Sequence, residues 1–200
     1  MAALGLVCSQ IPITARKTGE GKAVPDWPAG TGPRLFAYLY SYFKGLDPLL
    51  ATIAASGSPT LVFCRGIDPK LREKYGGGLI DFSAEAMSVS KVLPKAHAVV
   101  CHGSHQMTAQ ALLAGKPVLL LPTQLEQFLI MRRVVRLGAG LGIAPDVPNA
   151  DYASALTALT EKGEYAAKAL EFAKRYARHE RGAALATIIA RIEAALERSR

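Results

Sequence analysis

Apolar residues along the chain fall into short continuous runs separated by stretches of helical spacing. Leu35 to Tyr40 is a run of strand length, and Thr60 to Cys64 is another. Between them Leu46, Leu49, Leu50, Ile53 and Ala54 recur at helical intervals. Asp47-Pro48 suits the opening of that helix, with Asp as N-cap, and Gly57 suits its end. Residues 68–78 are charged and Gly-rich and read as a loop, and Leu79 to Phe82 as a third short strand. Further on, Ala96 to Cys101 reads as a strand and Thr108 to Ala114 as a helix ended by Gly115. Pro117 to Leu121 is an uninterrupted apolar strand of the kind buried on both faces of a parallel sheet. A helix over 124–137, a short strand over Gly140 to Ile143, a helix capped by Asn149, and an Ala-rich basic helical region from Glu164 complete the pattern. Strands alternating with helices predict an α/β fold: a single Rossmann-like, doubly wound domain with a parallel sheet. In that architecture ligands sit beyond the carboxyl ends of the strands. Three loops become candidates: Ser41 to Gly45, His102 to Met107, and Pro122 to Gln127.

Residues 1–33 break the pattern. Pro12, Pro25, Pro28 and Pro33, with Gly19, Gly21, Gly30 and Gly32, prevent one continuous helix or central strand, so the segment reads as a linker to the domain over 34–200. The chain has 200 residues, half of them apolar and a fifth charged, enough for a core and too apolar for global disorder. No run reaches the roughly 18 apolar residues of a transmembrane segment. Three scattered cysteines, Cys8, Cys64 and Cys101, make neither a disulfide framework nor a zinc ribbon, and a cytoplasmic setting is the expectation. The net charge of +8 suits a phosphate-bearing partner. Acidic residues interleave with the basic C-terminal ones, so that tail reads as a solvated helix face and not as a nucleic-acid surface. Tyr38, Tyr40 and Tyr42 alternate at strand period and read as packing or an inter-domain contact.

The segment from His102 to Gln127 carries the chemistry. His102 and Gly103 leave a strand, and the N–H groups of Ser104 to Met107 open a helix. Such groups lack partners within the helix and form an anion site that Gly103 lets a ligand approach. His97, His102 and His105 do not converge on a metal site, and Cys101 and His102, adjacent on a strand, point to opposite faces. Thirteen residues after His102 comes Gly115-Lys116-Pro117; Pro122 follows, and Glu126-Gln127 close the segment. This pattern resembles the donor-binding signature of family 1-like GT-B glycosyltransferases, the UDP-glycosyltransferase type: H-x-G, then G-x-P, then P-x-x-x-[DE]-Q. The resemblance spans about residues 34–197 and is specific over 93–143.

The resemblance implies that the chain is the C-terminal, donor-binding half of such an enzyme. It would bind a UDP- or dTDP-sugar and take part in transfer of the sugar to an acceptor hydroxyl, with inversion and without metal or other cofactor. His102 would contact the diphosphate, with Gly103, Ser104, Gln106 and Met107 cradling it and Ser41 as a further phosphate candidate. Gln110, where the family usually has Glu, would meet the ribose, and Glu126 and Gln127 the transferred sugar. Residues 82–88 would cover the base, without the family's Trp or Pro-Gln landmark. Ser104 stands where a second Gly is common, and Gln106-Met107 replace a small pair that would crowd the diphosphate less. The acceptor-binding half, which would supply the base, would be a missing N-terminal domain or a partner subunit. The expected partners are thus the nucleotide sugar and that half, with no nucleic acid. A degenerate, non-catalytic binding module is the alternative, and a sugar-nucleotide epimerase of related fold a third reading.

Overall fold

The computed structural model describes residues 25–144, 147–177 and 183–197, with side chains of 183–188 left aside. Most of the N-terminal approach segment, Cys8 and several of the C-terminal basic residues lie outside the described residues. Among the described residues the elements follow one another as β1 (Leu35–Tyr40), α1 (Leu46–Ala55), β2 (Thr60–Arg65), α2 (Pro69–Tyr75), β3 (Ile80–Phe82), α3 (Val89–Val92) with a 3₁₀ turn over Leu93–Lys95, β4 (Ala98–Cys101), α4 (His105–Leu113), β5 (Val118–Leu120), α5 (Leu125–Leu137), β6 (Gly140–Gly142), α6 (Tyr152–Glu161), α7 (Gly163–Tyr176) and α8 (Ala183–Glu197). The six strands form one sheet in the order β3-β2-β1-β4-β5-β6, and every pairing is parallel.

Alternation along each strand sends residues to opposite faces. Phe36, Leu61, Val99, Cys101, Val118 and Leu120 face one layer, packed with Met107, Ala111 and Leu112 of α4, Ile130, Met131 and Val134 of α5, and Ala169 and Phe172 of α7. Leu35, Ala37, Leu39, Val62, Ala98, Val100 and Leu119 face the other, against Leu46, Leu49, Leu50 and Ile53 of α1 and Leu156 and Leu159 of α6. Because both faces are covered, β1, β4 and β5 carry almost no polar side chain, as their sequences require.

Three local readings are corrected. Residues 69–75 are a helix and not a loop: Asp68 accepts from the Lys70 N–H and Pro69 sits at the first helical position, so capping outweighs the charged, Gly-flanked composition. Helix α1 begins one residue before Asp47, with Gly45 at the N-cap; Asp47 instead receives hydrogen bonds from the Tyr75 hydroxyl (2.7 Å) and Lys74 Nζ (3.0 Å) and ties α1 to α2. Helix α6 is capped by Asp151, which accepts from the Ser154 N–H, while Asn149 takes φ +53° in the preceding turn. Residues 27–33 carry neither helix nor strand and lie on the domain. Trp27 packs against the α4–α5–α7 layer, and the Arg34 guanidinium lies 5.8 Å from its ring centroid.

At the β5–β6 edge, a Cβ on Gly140 would strike the Val118 carbonyl and the Val134 side chain, so the close strand approach requires glycine. Leu120, the last residue of β5, is wholly buried. Leu120→Ala is expected to lower unfolding stability by roughly 2–5 kcal/mol, read from the midpoint of a urea transition with unchanged m-value.

Candidate active site

The sheet order reverses at β1. The chain winds outward from β1 through β2 to β3, then returns to lay β4 on the other side of β1. Loops leaving β1 and β4 therefore run to opposite faces and open a crevice at their carboxyl ends. The His102–Met107 turn stands at that point.

Gly103 takes φ +83°, a conformation that L side chains rarely adopt. A Cβ there would come within 3.2 Å of the Gln127 carbonyl oxygen, so the turn after β4 and the first turn of α5 are in close contact. Ser104 is the N-cap of α4 with no side-chain cap bond, and the first helical bond runs from the Thr108 N–H to the Ser104 carbonyl. The N–H groups of His105, Gln106 and Met107 thus have no partner inside the helix, and the helix dipole adds positive potential there. The Met107 side chain is buried among the α4–α5–α7 core residues, and Gln106 is exposed. Of this pair, the helix turns Met107 inward and leaves Gln106 at the open helix start. Gln110 lies four residues after Gln106 on the same helix face, half-buried.

His102 is buried, 2% exposed. Its Nε2 accepts from the Tyr40 N–H at 2.9 Å, and its Nδ1 lies 2.8 Å from the Leu121 carbonyl oxygen. A carbonyl only accepts and an amide N–H only donates, so Nδ1 carries the proton and Nε2 is bare. Both nitrogens of this neutral ring are used by backbone. The Tyr40 ring stacks on the imidazole at 5.0 Å and 16°, Tyr42 stacks on Tyr40 at 5.2 Å and 8°, and Phe43 meets the imidazole edge-on at 5.3 Å. Burial lowers the His102 pKa, opposed in part by its hydrogen bond to Leu121.

The remaining predicted residues are distributed around this centre. Glu126 is exposed in the first turn of α5. Gln127 is buried, and its Oε1 accepts from the Thr123 N–H (2.8 Å) and hydroxyl (3.1 Å), closing the loop after β5. Ser41 is exposed and leans toward Gly66 after β2, on the far side of β1 from the His102 turn. The 82–88 segment follows the edge strand β3; the Ser83 hydroxyl donates to the Glu85 carbonyl and Met87 is buried in the core. His97 lies at the opposite end of β4 from His102 and accepts from the Arg34 N–H. Among the described residues no group of three or more His, Cys, Asp and Glu could hold a metal. Desolvation raises the Cys64 and Cys101 thiols to about 11, so neither is a thiolate near neutral pH.

Sequence reasoning placed Tyr42 and Phe43 in a candidate loop without assigning them a role, and missed Tyr40 as a neighbour of His102. Their alternation signals a strand, but only the β1–β4 pairing places Tyr40 against His102. Beside them a cavity of about 610 Å³ opens between the loops after β1, β5 and β6, lined by Tyr42, Phe43, Pro122, Thr123, Ile143 and Tyr152 among others. It adjoins the His102 turn through Tyr42 and Phe43 and does not include it. No described helix is long and apolar enough to cross a membrane.

Solved structures share this fold. Spinosyn forosaminyltransferase SpnP superposes with a TM-score of 0.68 at 17% identity, over 86% of this chain and 47% of its own. Glycosyltransferase SnogD from Streptomyces nogalater gives 0.66 at 21% identity, over 85% and 48%. Glycosyltransferase VinC, solved in complex with dTDP, gives 0.66 at 20% identity, over 78% and 41%. The chain spans about half the length of these proteins. No curated protein sequence matches it. Residues 82–191, more than half of the chain, match the profile of the erythromycin biosynthesis protein CIII-like C-terminal domain and contain the turn after β4, α4 and the Pro122–Gln127 loop. The chain therefore belongs to the erythromycin biosynthesis protein CIII-like C-terminal domain family, with the fold of the C-terminal half of a GT-B glycosyltransferase.

Proposed function

We propose that this domain binds the nucleotide-diphosphate part of an activated sugar on the His102–Met107 turn and serves as the donor half of an inverting glycosyltransferase. The observation that carries the reading is the placement of that turn. It stands at the reversal of the strand order, with Gly103 at φ +83° and an uncapped helix start presenting N–H groups to the crevice. Two structurally similar glycosyltransferases, VinC and SsfS6 from Streptomyces sp. SF2575, were solved with thymidine diphosphate, which makes that nucleotide the first ligand to test.

In the proposed reaction an acceptor hydroxyl, deprotonated in an acceptor-binding half, attacks the anomeric carbon from the face opposite the diphosphate. The bond to the diphosphate oxygen breaks, and its electron pair leaves with the nucleotide. The α4 N–H groups would stabilise the charge growing on that oxygen, and fixed donors aimed at developing charge lower the barrier without reorganising. On this reading the backbone meets the phosphates without a metal ion. Exposed Glu126 is free to turn toward sugar hydroxyls, whereas the Gln127 oxygen is already held by Thr123.

Calorimetric titration of the chain with thymidine diphosphate and UDP, magnesium omitted, is expected to give micromolar to sub-millimolar binding for at least one. No binding of either by a folded chain overturns an autonomous donor site and leaves a binding module of another kind. Gly103→Ala forces alanine into a left-handed backbone beside the Gln127 carbonyl, at a cost of roughly 1–2 kcal/mol. The same titration is expected to show nucleotide affinity reduced about tenfold or more, since each 1.4 kcal/mol lost from binding is about tenfold.

A further inference from the structure

We infer that His102 is a positioning residue: a neutral clasp that joins the carboxyl ends of β1, β4 and β5 and thereby aims the His105–Met107 N–H groups, with no ring nitrogen left to meet the phosphates. The geometry is independent of the donor-site reading; its consequence for nucleotide affinity rests on that reading.

Strand β4 lies between β1 and β5. The β1–β4 ladder ends at Tyr38 opposite Cys101, and beyond it the chain turns away at Gly103. The Tyr40 N–H would then face β4 with no backbone acceptor, and an unpaired donor away from water is destabilising. His102 Nε2 supplies the acceptor, and its Nδ1–H reaches the Leu121 carbonyl on the other side. The Leu121 N–H in turn donates to the Cys101 carbonyl, so one imidazole and one backbone hydrogen bond lock three strand ends together. Tyr40 is coupled to His102 twice, through its N–H and through its stacked ring, which keeps water from the imidazole. A proton added at Nε2 would set two donors against each other, so the clasp exists only in the neutral ring.

Other groups on the surrounding elements that carry or gain charge are Tyr38, Tyr40 and Tyr42 on β1 and its loop, Lys44 on that loop, Arg65 ending β2, Cys101 on β4, His105 on α4 and Glu126 on α5. Burial holds the His102 pKa below the ordinary 6.5. As pH falls the unfolded chain takes up the proton first, so the stability contributed by neutral His102 is complete above about pH 6.5 and declines from there toward the lower folded-state value.

Nitrogen-15 NMR of the histidine rings, on the full chain between pH 5 and 8, separates the four histidines. The expected result at pH 7.5 is His102 protonated at Nδ1 and bare at Nε2, unchanged after saturation with thymidine diphosphate and titrating below 6.5. Protonation at Nε2 in the free chain, or a proton gained there when nucleotide binds, overturns the clasp. Should neither nucleotide bind, the donor-site reading falls, and the tautomer of the free chain still decides the clasp. Calorimetry adds a second readout. His102→Ala is expected to lose tenfold or more in thymidine diphosphate affinity, and His102→Gln, which offers both an acceptor and a donor, to recover at least threefold of that loss. Parental affinity in the Ala variant overturns the positioning role, and if that variant does not fold, the Gln variant and the ring tautomer decide it.

Discussion

The pairing of β1 with β4 is the constraint from which the rest follows. Parallel neighbours cannot be joined by a tight turn, so each connection crosses a face of the sheet as a helix or an extended segment. With β1 flanked by β2 on one side and β4 on the other, those connections divide between the two faces and both become buried. The same reversal leaves one gap at the carboxyl edge that no crossing chain covers. Gly103 and the start of α4 stand in it.

Polar groups at that edge are short of backbone partners, because the ladders stop where the loops begin. The molecule meets the shortage with side chains. His102 serves Tyr40 and Leu121, and Gln127 serves Thr123. These two residues stand at the start and the end of one sequence signature. In this structure both face backbone, so part of what the signature encodes is the shape of the loops at the crevice. The α4 N–H groups and exposed Glu126 are what those loops leave free.

Packing also decides where departures from the family pattern place their side chains. Gln106-Met107 replaces a smaller pair at the helix start, yet Met107 goes into the core and Gln106 to solvent. A helix start tolerates size on its inner face when the layer beneath has room, and a flexible thioether fills such room well. The Tyr40–Tyr42–His102 stack gives the opposite lesson. An alternating tyrosine series looks like ordinary strand packing, and only its partner strand makes Tyr40 a neighbour of the site.

Much was legible in the residues themselves. The uninterrupted apolar runs of β1, β4 and β5, the helical spacing of 46–54 and 124–137, and the order of elements set the α/β class, since periodicity is a local property of hydrophobic burial. The spacing of His102, Gly115-Lys116-Pro117 and Glu126-Gln127 pointed to the carboxyl edge of the sheet as the candidate site. The helix over 69–75 was hidden, because one capping bond from Asp68 outweighs a composition that suggests a loop. Which hydrogen bonds His102 makes was decided by tertiary structure alone. Its partners, Tyr40 and Leu121, are 62 and 19 residues away in the chain, and they meet the ring only because β4 inserts between β1 and β5. A residue type limits what a side chain can donate or accept, but the partners present at the end of a strand are set by the register of its neighbours.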